Sequence, residues 1–431
     1  MPQDDILLVR GGTPLIGEIA AYRAKNSALY LMLAALLTDE QVVLRDVPQL
    51  SDVLVSEEIL RHVGVATRWE GHDLHLHAAN LVSHHAPYSL VSKMRASFVI
   101  MGALLGRTGE ARVSMPGGCA FGPRPVDRHI TAFEAIGASI QEEDGDFYAF
   151  RHGKLSGTVA FESPTVGGTQ NVILAAALSA GEVVIENAAR EPEVPDLANM
   201  LRAMGADIEG AGTSTVRIRG VERLRGVDYR PIGDRIEAGT YLLAAAATRG
   251  RITVTDAAPE HMSAVLDALE RTGVVVTRGQ DSVSIDATGP LRPIDVEARE
   301  YPGIPTDLQA PFSAYLATLP GLSHVRDHVY PDRFTHVDEL VRAGARLVLE
   351  DQCLEIRGGP LKGTAMHAAD IRAGGALIVA ALAAEGLSEV SGMRYVDRGY
   401  ERVAERLRSL GARVELAVAK QASTATGTYG N

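Results

Sequence analysis

The chain carries a cysteine in a setting that favours reactivity, and cations placed where cations are usually avoided. Cys119 lies in PGGCAFGPRPVD (residues 116–127), a turn-rich stretch with Arg124 five residues further on. A nearby cation lowers a thiol pKa and so raises the fraction of the attacking thiolate. A lone cysteine is more often a small buried hydrophobe, and Cys353, inside the apolar strand pattern DQCLEI, reads that way. In a glycine- and proline-rich loop beside an arginine, Cys119 reads instead as a reactive group.

The cations stand at helix starts. Lys25 (AKNSA), Arg95 (KMRAS) and Arg372 (DIRAG) each open an apolar, alanine-rich helix pattern. The first turn of a helix favours anions. One base there would read as a solvated side chain; three at matching positions point to a bound polyanion, held by cations and free N–H groups together. A fourth helix opens with Thr306 and Asp307 (PTDLQ). Asp307 is either an N-cap or, if it faces the same cleft, the candidate general base. Arg124, Arg333 (PDRFTH) and Arg398 (VDRGYER) lie in loop patterns, and each alone would pass for a surface residue.

The positions match because the chain is a repeat. Six copies of one pattern (LRHVGVAT, FEAIGASI, LRAMGADI, LERTGVVV, LVRAGARL and LRSLGARV) place Gly64, Gly137, Gly205, Gly273, Gly344 and Gly411 between 67 and 73 residues apart. Such a period outranks other fold cues. Each unit reads as a buried helix, a strand, an amphipathic helix ending at the motif glycine in a left-handed C′ position, and two short strands. The buried helices, such as NSALYLMLAALL, NVILAAAL and GALIVAALAA, are apolar nearly all round, which places them inside. One core rarely grows past about 250–300 residues, so six units of about 70 residues divide into two domains of three. The class is α/β, built of α+β repeats with helices inside and sheets outside; composition marks no linker.

Composition narrows the partners. Lys+Arg 42 against Asp+Glu 54 gives the 431 residues a net charge of −12. That balance leaves room for a local basic pocket but not for a general polyanion binder. A repeat-built nucleic-acid clamp would need a basic inner surface, and these inner helices are rich in alanine and leucine. Two cysteines make neither a disulfide framework nor a CxxC zinc pattern, so no metal site and a reducing, cytoplasmic home are expected. The start MPQDDILLVR does not read as a signal peptide. The longest apolar stretches, such as 374–384, fall short of the roughly 18–20 residues of a membrane span. The tail 421–431 (QASTATGTYGN) reads as disordered.

At these residues the chain resembles the UDP-N-acetylglucosamine 1-carboxyvinyltransferases, the enolpyruvyl transferases of peptidoglycan synthesis. The matching stretches are RAKNSAL, VPQLSDV, MRASFVIMGALL, PGGCAFGPRPVD, ENAAREPEVPDLANML, GDRIEAGTYL, PTDLQAPF, DRFTHVDEL, DIRAGGAL and VDRGYERV, spread over nearly the whole chain. The cysteine loop and REPE (190–193) are the most specific. The resemblance implies a two-domain inside-out α/β prism of βαβαββ units. One domain would comprise residues 1–24 and 233–431; the other, with the Cys119 loop, residues 25–232. The substrates would bind in the cleft between them.

The resemblance further implies transfer of the enolpyruvyl group of phosphoenolpyruvate to the 3-hydroxyl of UDP-N-acetylglucosamine, releasing phosphate. It implies no metal or organic cofactor, and no nucleic-acid, membrane or obligate protein partner. By the same resemblance Cys119 protonates the methylene carbon of phosphoenolpyruvate, can form a covalent adduct, and is the target of the epoxide fosfomycin. Asp307 takes part in deprotonating the sugar hydroxyl. Lys25, Asn26, Arg124, Arg372 and Arg398 hold phosphoenolpyruvate, Lys25 and Arg398 counting also as catalytic. Asn26, Arg95, Arg124, Pro125, Val126, Asp127, Arg128, Thr165, Val166, Gly167, Asp307, Val329 and Arg333 line the UDP-sugar site.

Two positions and one short segment depart from the family pattern. Ser51 (VPQLSDV) and Ser163 (SPTVGG) stand where lysines are common, and AYRA precedes Lys25 in place of a small Ser-Gly pair. The two serines remove positive charge near the expected nucleotide and closure surfaces. They motivate one alternative, a non-catalytic paralogue that binds the UDP-sugar. The other alternative is a 5-enolpyruvylshikimate 3-phosphate synthase, whose family has no Pro-Gly-Gly-Cys loop of this kind.

Overall fold

The computed structural model describes residues 5–115 and 126–418. Cys119, Arg124, Pro125 and the tail 421–431 lie outside the described residues, as does the side chain of Arg95. Among the described residues there are six four-stranded sheets. Each combines one parallel pair with two antiparallel pairings. The parallel partner is a short edge strand, such as Gly157–Ala160 beside Glu182–Glu186. A buried helix, here Val166–Ala176, forms the crossover between the two.

The unit is therefore βαβαββ, and the edge strand is the element that the motif-based reading of each unit lacks. At two to five residues these strands are too short to show a period of two. The buried helices are Lys25–Ala34, Ile100–Thr108, Val166–Ala176, Arg235–Ala247, Thr306–Leu316 and Ile371–Ala383. The last three pack on one another. Where Ile100–Thr108 crosses Val166–Ala176, a Cβ on Gly102 would sit 2.2 Å from the Asn171 carbonyl oxygen, so only glycine permits that approach.

The six motif glycines all have positive φ. Gly273, at φ +99°, ends the amphipathic helix Ser263–Thr272, and a Cβ there would lie 2.6 Å from the Pro290 carbonyl oxygen. Apolar side chains form two cores. One runs from Ala28 to Leu224; the other joins residues between Leu7 and Ala21 to residues between Ile236 and Val414. The strand Asp5–Arg10 closes the second by pairing with Leu387–Ser391 and Arg413–Val418. No helix among the described residues is long and apolar enough to cross a membrane.

Two edge strands are exchanged between the halves of the chain. Ile16–Ala20 pairs with Arg251–Thr255, and Val227–Tyr229 with Gln41–Leu44. The backbone consequently crosses between the cores twice, and the crossings lie side by side: Ala24 N–H donates to Ile232 O (2.8 Å) and Asp234 N–H to Tyr22 O (2.8 Å). The unusual AYRA segment is absorbed here. Arg23 pairs with Asp256 at 2.6 Å, and Arg406 lies over the Tyr22 ring, 4.1 Å from its centre.

Behind this crossing Glu237 is buried, accepting from Tyr22 N–H (2.8 Å) and pairing with Arg406 (3.3 Å). Burial outweighs Arg406 and pushes its carboxyl from the usual 4.5 up to about 7. The folded state then holds a proton that the unfolded chain has released, so stability falls as pH rises from 4.5 to 7. The total is on the order of 3 kcal/mol. Glu237→Gln is expected to raise the apparent Tm above wild type at pH 8, with the gap closing toward pH 4.5. A pH-independent gap in thermal melts would show that Glu237 does not titrate in this window.

Candidate active site

The first turns of all six buried helices, including the short 3₁₀ segment Arg95–Val99 that leads into Ile100–Thr108, line one cleft of about 750 Å³. Its walls come from both cores. Each helix N-terminus is the positive end of its dipole, so their convergence favours an anion in the cleft. Lys25, Asn26, Val126, Arg128, Thr165, Val166, Gly167, Asp307, Val329, Arg333, Arg372 and Arg398 all line it. Asp127, exposed at the start of Asp127–Ala135, does not.

Two carboxylates organise the cations. Asp307 sits between Arg372 Nε (2.7 Å) and Arg333 Nη1 (3.1 Å). Burial would raise its pKa, but the two guanidinium groups hold the carboxyl far below the usual range. Neither Asp307 nor Thr306 caps the helix. Thr306 accepts from Arg333 (3.1 Å) and donates to Asp327, which settles the N-cap alternative against capping. Asp370 is the N-cap of Ile371–Ala383, accepting from the N–H groups of Arg372 and Ala373, and this fixes the turn that carries Arg372.

The second carboxylate, Asp52, accepts from Lys25 Nζ (3.0 Å) and Arg398 Nε (2.8 Å). Burial lowers the Lys25 pKa, and the nearby Arg372 and Arg398 act in the same direction against Asp52. Asp52 is itself held below the usual range, because Lys25 and Arg398 together overcome its burial. Each carboxylate is thus shared between two cations, and positive charge is left in excess at both points.

Further cleft residues escaped the sequence reading. Arg235 opens Arg235–Ala247 behind an Asp234 N-cap and forms a two-point pair with Glu193 (3.1 and 3.2 Å). It is another base at a buried-helix start, so the signal used for Lys25 was there to find it. Asp52 and Glu193 gave no such signal: an acid in a helix's first turn is ordinary. His129 was hidden inside an amphipathic pattern. Asn171 Oδ1 accepts from Gly102 N–H (2.8 Å), which leaves its amide to donate to His129 Nδ1 (2.9 Å) and the ring proton on Nε2. Burial drives the His129 pKa down to about 4, so the ring is neutral.

Ser163 lines the cleft beside Thr165, whose hydroxyl caps Val166–Ala176 by accepting from Gly168 N–H (3.3 Å). A cation restored here would face an anionic ligand at little structural cost. Ser163→Lys is expected to lower the KM for a UDP-sugar roughly fivefold, about 1 kcal/mol, with kcat unchanged. An unchanged KM in steady-state kinetics would show that this wall does not meet the diphosphate.

The profile of the EPSP synthase family (3-phosphoshikimate 1-carboxyvinyltransferase) matches residues 9–407. The chain is 56% identical over 411 residues to the UDP-N-acetylglucosamine 1-carboxyvinyltransferase of Thermus thermophilus, covering 95% of this chain and 96% of that one. It is 50% identical over 410 residues to the enzyme of that name from Deinococcus radiodurans, with 95% and 96% covered. Among solved structures, the enolpyruvyl transferase NikO from Streptomyces tendae superposes with a TM-score of 0.87 at 26% identity, covering 97% of this chain and 100% of that one. The EPSP synthase of Acinetobacter baumannii, at 17% identity and a TM-score of 0.76 over 96% of this chain and 100% of that one, shares the fold. With six βαβαββ units, helices inside and sheets outside, and these relatives along nearly its full length, the chain belongs to the UDP-N-acetylglucosamine 1-carboxyvinyltransferase family.

Proposed function

We propose that this chain transfers the enolpyruvyl group of phosphoenolpyruvate to the 3-hydroxyl of UDP-N-acetylglucosamine, with release of phosphate. The observation that carries the reading is the convergence of six helix starts on one cleft with cations in excess of their carboxylates. Phosphoenolpyruvate bears a phosphate and a carboxylate, and the Lys25–Arg398 and Arg333–Arg372 pairs offer two separate anion-binding points. The two-domain division at residues 24/25 and 232/233 belongs to the same proposal, supported by the two cores and the paired crossings. So do a cytoplasmic setting and action without a nucleic-acid, membrane or obligate protein partner.

In this reading Cys119 gives its thiol proton to the methylene carbon, and C2 becomes an oxocarbenium-like centre. The sugar 3-oxygen adds to C2 and its proton passes to Asp307. The Cys119 thiolate then takes back a methyl proton as the C2–O bond to phosphate breaks, and the proton held by Asp307 leaves with the phosphate, giving the enol ether and inorganic phosphate. Asp307 is a weak base, and a weak base suffices: the hydroxyl becomes strongly acidic once its oxygen bonds to a cationic carbon. Its negative charge also steadies that carbon. Lys25, Arg124 and Arg398 hold the phosphoenolpyruvate, Arg372 and Arg333 complete the clamp, and Asn26 with the Thr165–Val166–Gly167 turn and Val329 lies along the UDP-sugar.

Phosphate release by the purified chain tests this, with each substrate omitted in turn. Release that needs both supports the transferase. Release with shikimate 3-phosphate in place of the UDP-sugar would transfer the assignment to the synthase. UDP-sugar binding without turnover would leave the non-catalytic paralogue.

A further inference from the structure

We propose that Asp52 is a positioning residue for this reaction, holding Lys25 and Arg398 as one charged, phosphate-binding pair across the cleft. The inference rests on the function proposed above and adds to it a residue outside the set drawn from the resemblance. Asp52 is the second residue of Ser51–His62, in the core that also contains the Lys25 helix. Arg398 follows the short helix Met393–Val396 in the other core. One oxygen of Asp52 accepts from Lys25 Nζ and the other from Arg398 Nε, so a single carboxylate sets the spacing of two cations delivered by separate cores.

The charge matters as much as the spacing. The Lys25 ammonium is buried and faces Arg372 and Arg398, and both disfavour a third positive charge. Asp307 also acts on it from the far side of the cleft, and Asp234 accepts from its backbone N–H (3.2 Å). Among the described residues Asp52 is the carboxylate in contact with Nζ. An amide at position 52 keeps the shape and one acceptor but removes the counter-charge, so a buried lysine between two arginines would shed its proton. A neutral amine gives a phosphate no ionic contact.

The test follows the KM for phosphoenolpyruvate from pH 6.5 to 9.5 in wild type, Asp52→Asn, and Asp52→Asn combined with Lys25→Arg. Asp52→Asn is expected to raise that KM about tenfold near neutral pH and further as pH rises, while the KM for the UDP-sugar stays within about twofold. Adding Lys25→Arg is expected to flatten the pH dependence, because a guanidinium keeps its proton. A KM for phosphoenolpyruvate that is unchanged, or raised equally at every pH, would overturn the role. Wild-type turnover in the same assay separates the two readings: if wild type is inactive, the proposed function fails; if it is active and Asp52→Asn shows no pH signature, only this inference fails. A measurement on wild type guards against a variant that does not fold. With five lysines in the chain, ¹³Cε-lysine spectra resolve Lys25, assigned by Lys25→Arg. It is expected to remain protonated at pH 8, and titration below that would overturn the proposal.

Discussion

Asp307→Asn is expected to lower kcat by about 10³-fold, the scale of a lost acid–base group, while leaving the KM for phosphoenolpyruvate within severalfold. Asp307 lies 2.7 and 3.1 Å from two buried guanidinium groups, and asparagine can still accept from one of them. It cannot take the proton of the attacking hydroxyl, and it carries no charge to face the oxocarbenium-like centre. Asparagine is preferable to alanine because it keeps the side chain's shape and one acceptor for the arginines; both variants remove the shared negative charge, and breaking a buried pair costs about 3–5 kcal/mol. Thermal melts beside the kinetics separate a catalytic loss from an unstable fold. A well-folded Asp307→Asn enzyme with turnover within tenfold of wild type would reduce Asp307 to a structural partner of the arginines.

The second large effect is expected at Cys119. Cys119→Ser should lose about 10²–10⁴-fold in turnover, because a serine hydroxyl is a far weaker acid than a thiol and a poor proton donor to carbon. The same variant should resist the covalent inactivation by fosfomycin that the family resemblance implies. The chain has one other cysteine, Cys353, partly exposed on the strand Cys353–Gly358. Peptide mapping of the modified wild-type enzyme therefore has two candidate sites to distinguish. Irreversible inactivation of Cys119→Ser, or an adduct on Cys353, would remove Cys119 from the mechanism.

Much of this was legible in the residues. Glycine at a left-handed C′ position is hard to replace, so the period of about 70 residues survives in the sequence, and all six motif glycines do take positive φ. The buried helices announce themselves because they are apolar all round. Bases at their starts break a strong electrostatic habit, and Lys25 and Arg372 do meet in the cleft. What the sequence hid was relational. Nothing in Ile16–Ala20 or Val227–Tyr229 says that the two strands trade partners. Asp52 and Glu193 look like routine first-turn acids, and their importance lies in the cation from the other core that each one holds.

Proton and phosphorus NMR of the product formed from UDP-N-acetylglucosamine and phosphoenolpyruvate tests the central claim most directly. The expected result is one equivalent of inorganic phosphate and a pair of vinyl methylene protons on an enol ether at the sugar 3-oxygen. Unchanged substrates with folded enzyme and bound UDP-sugar, or an enolpyruvyl group found only on shikimate 3-phosphate, would contradict it.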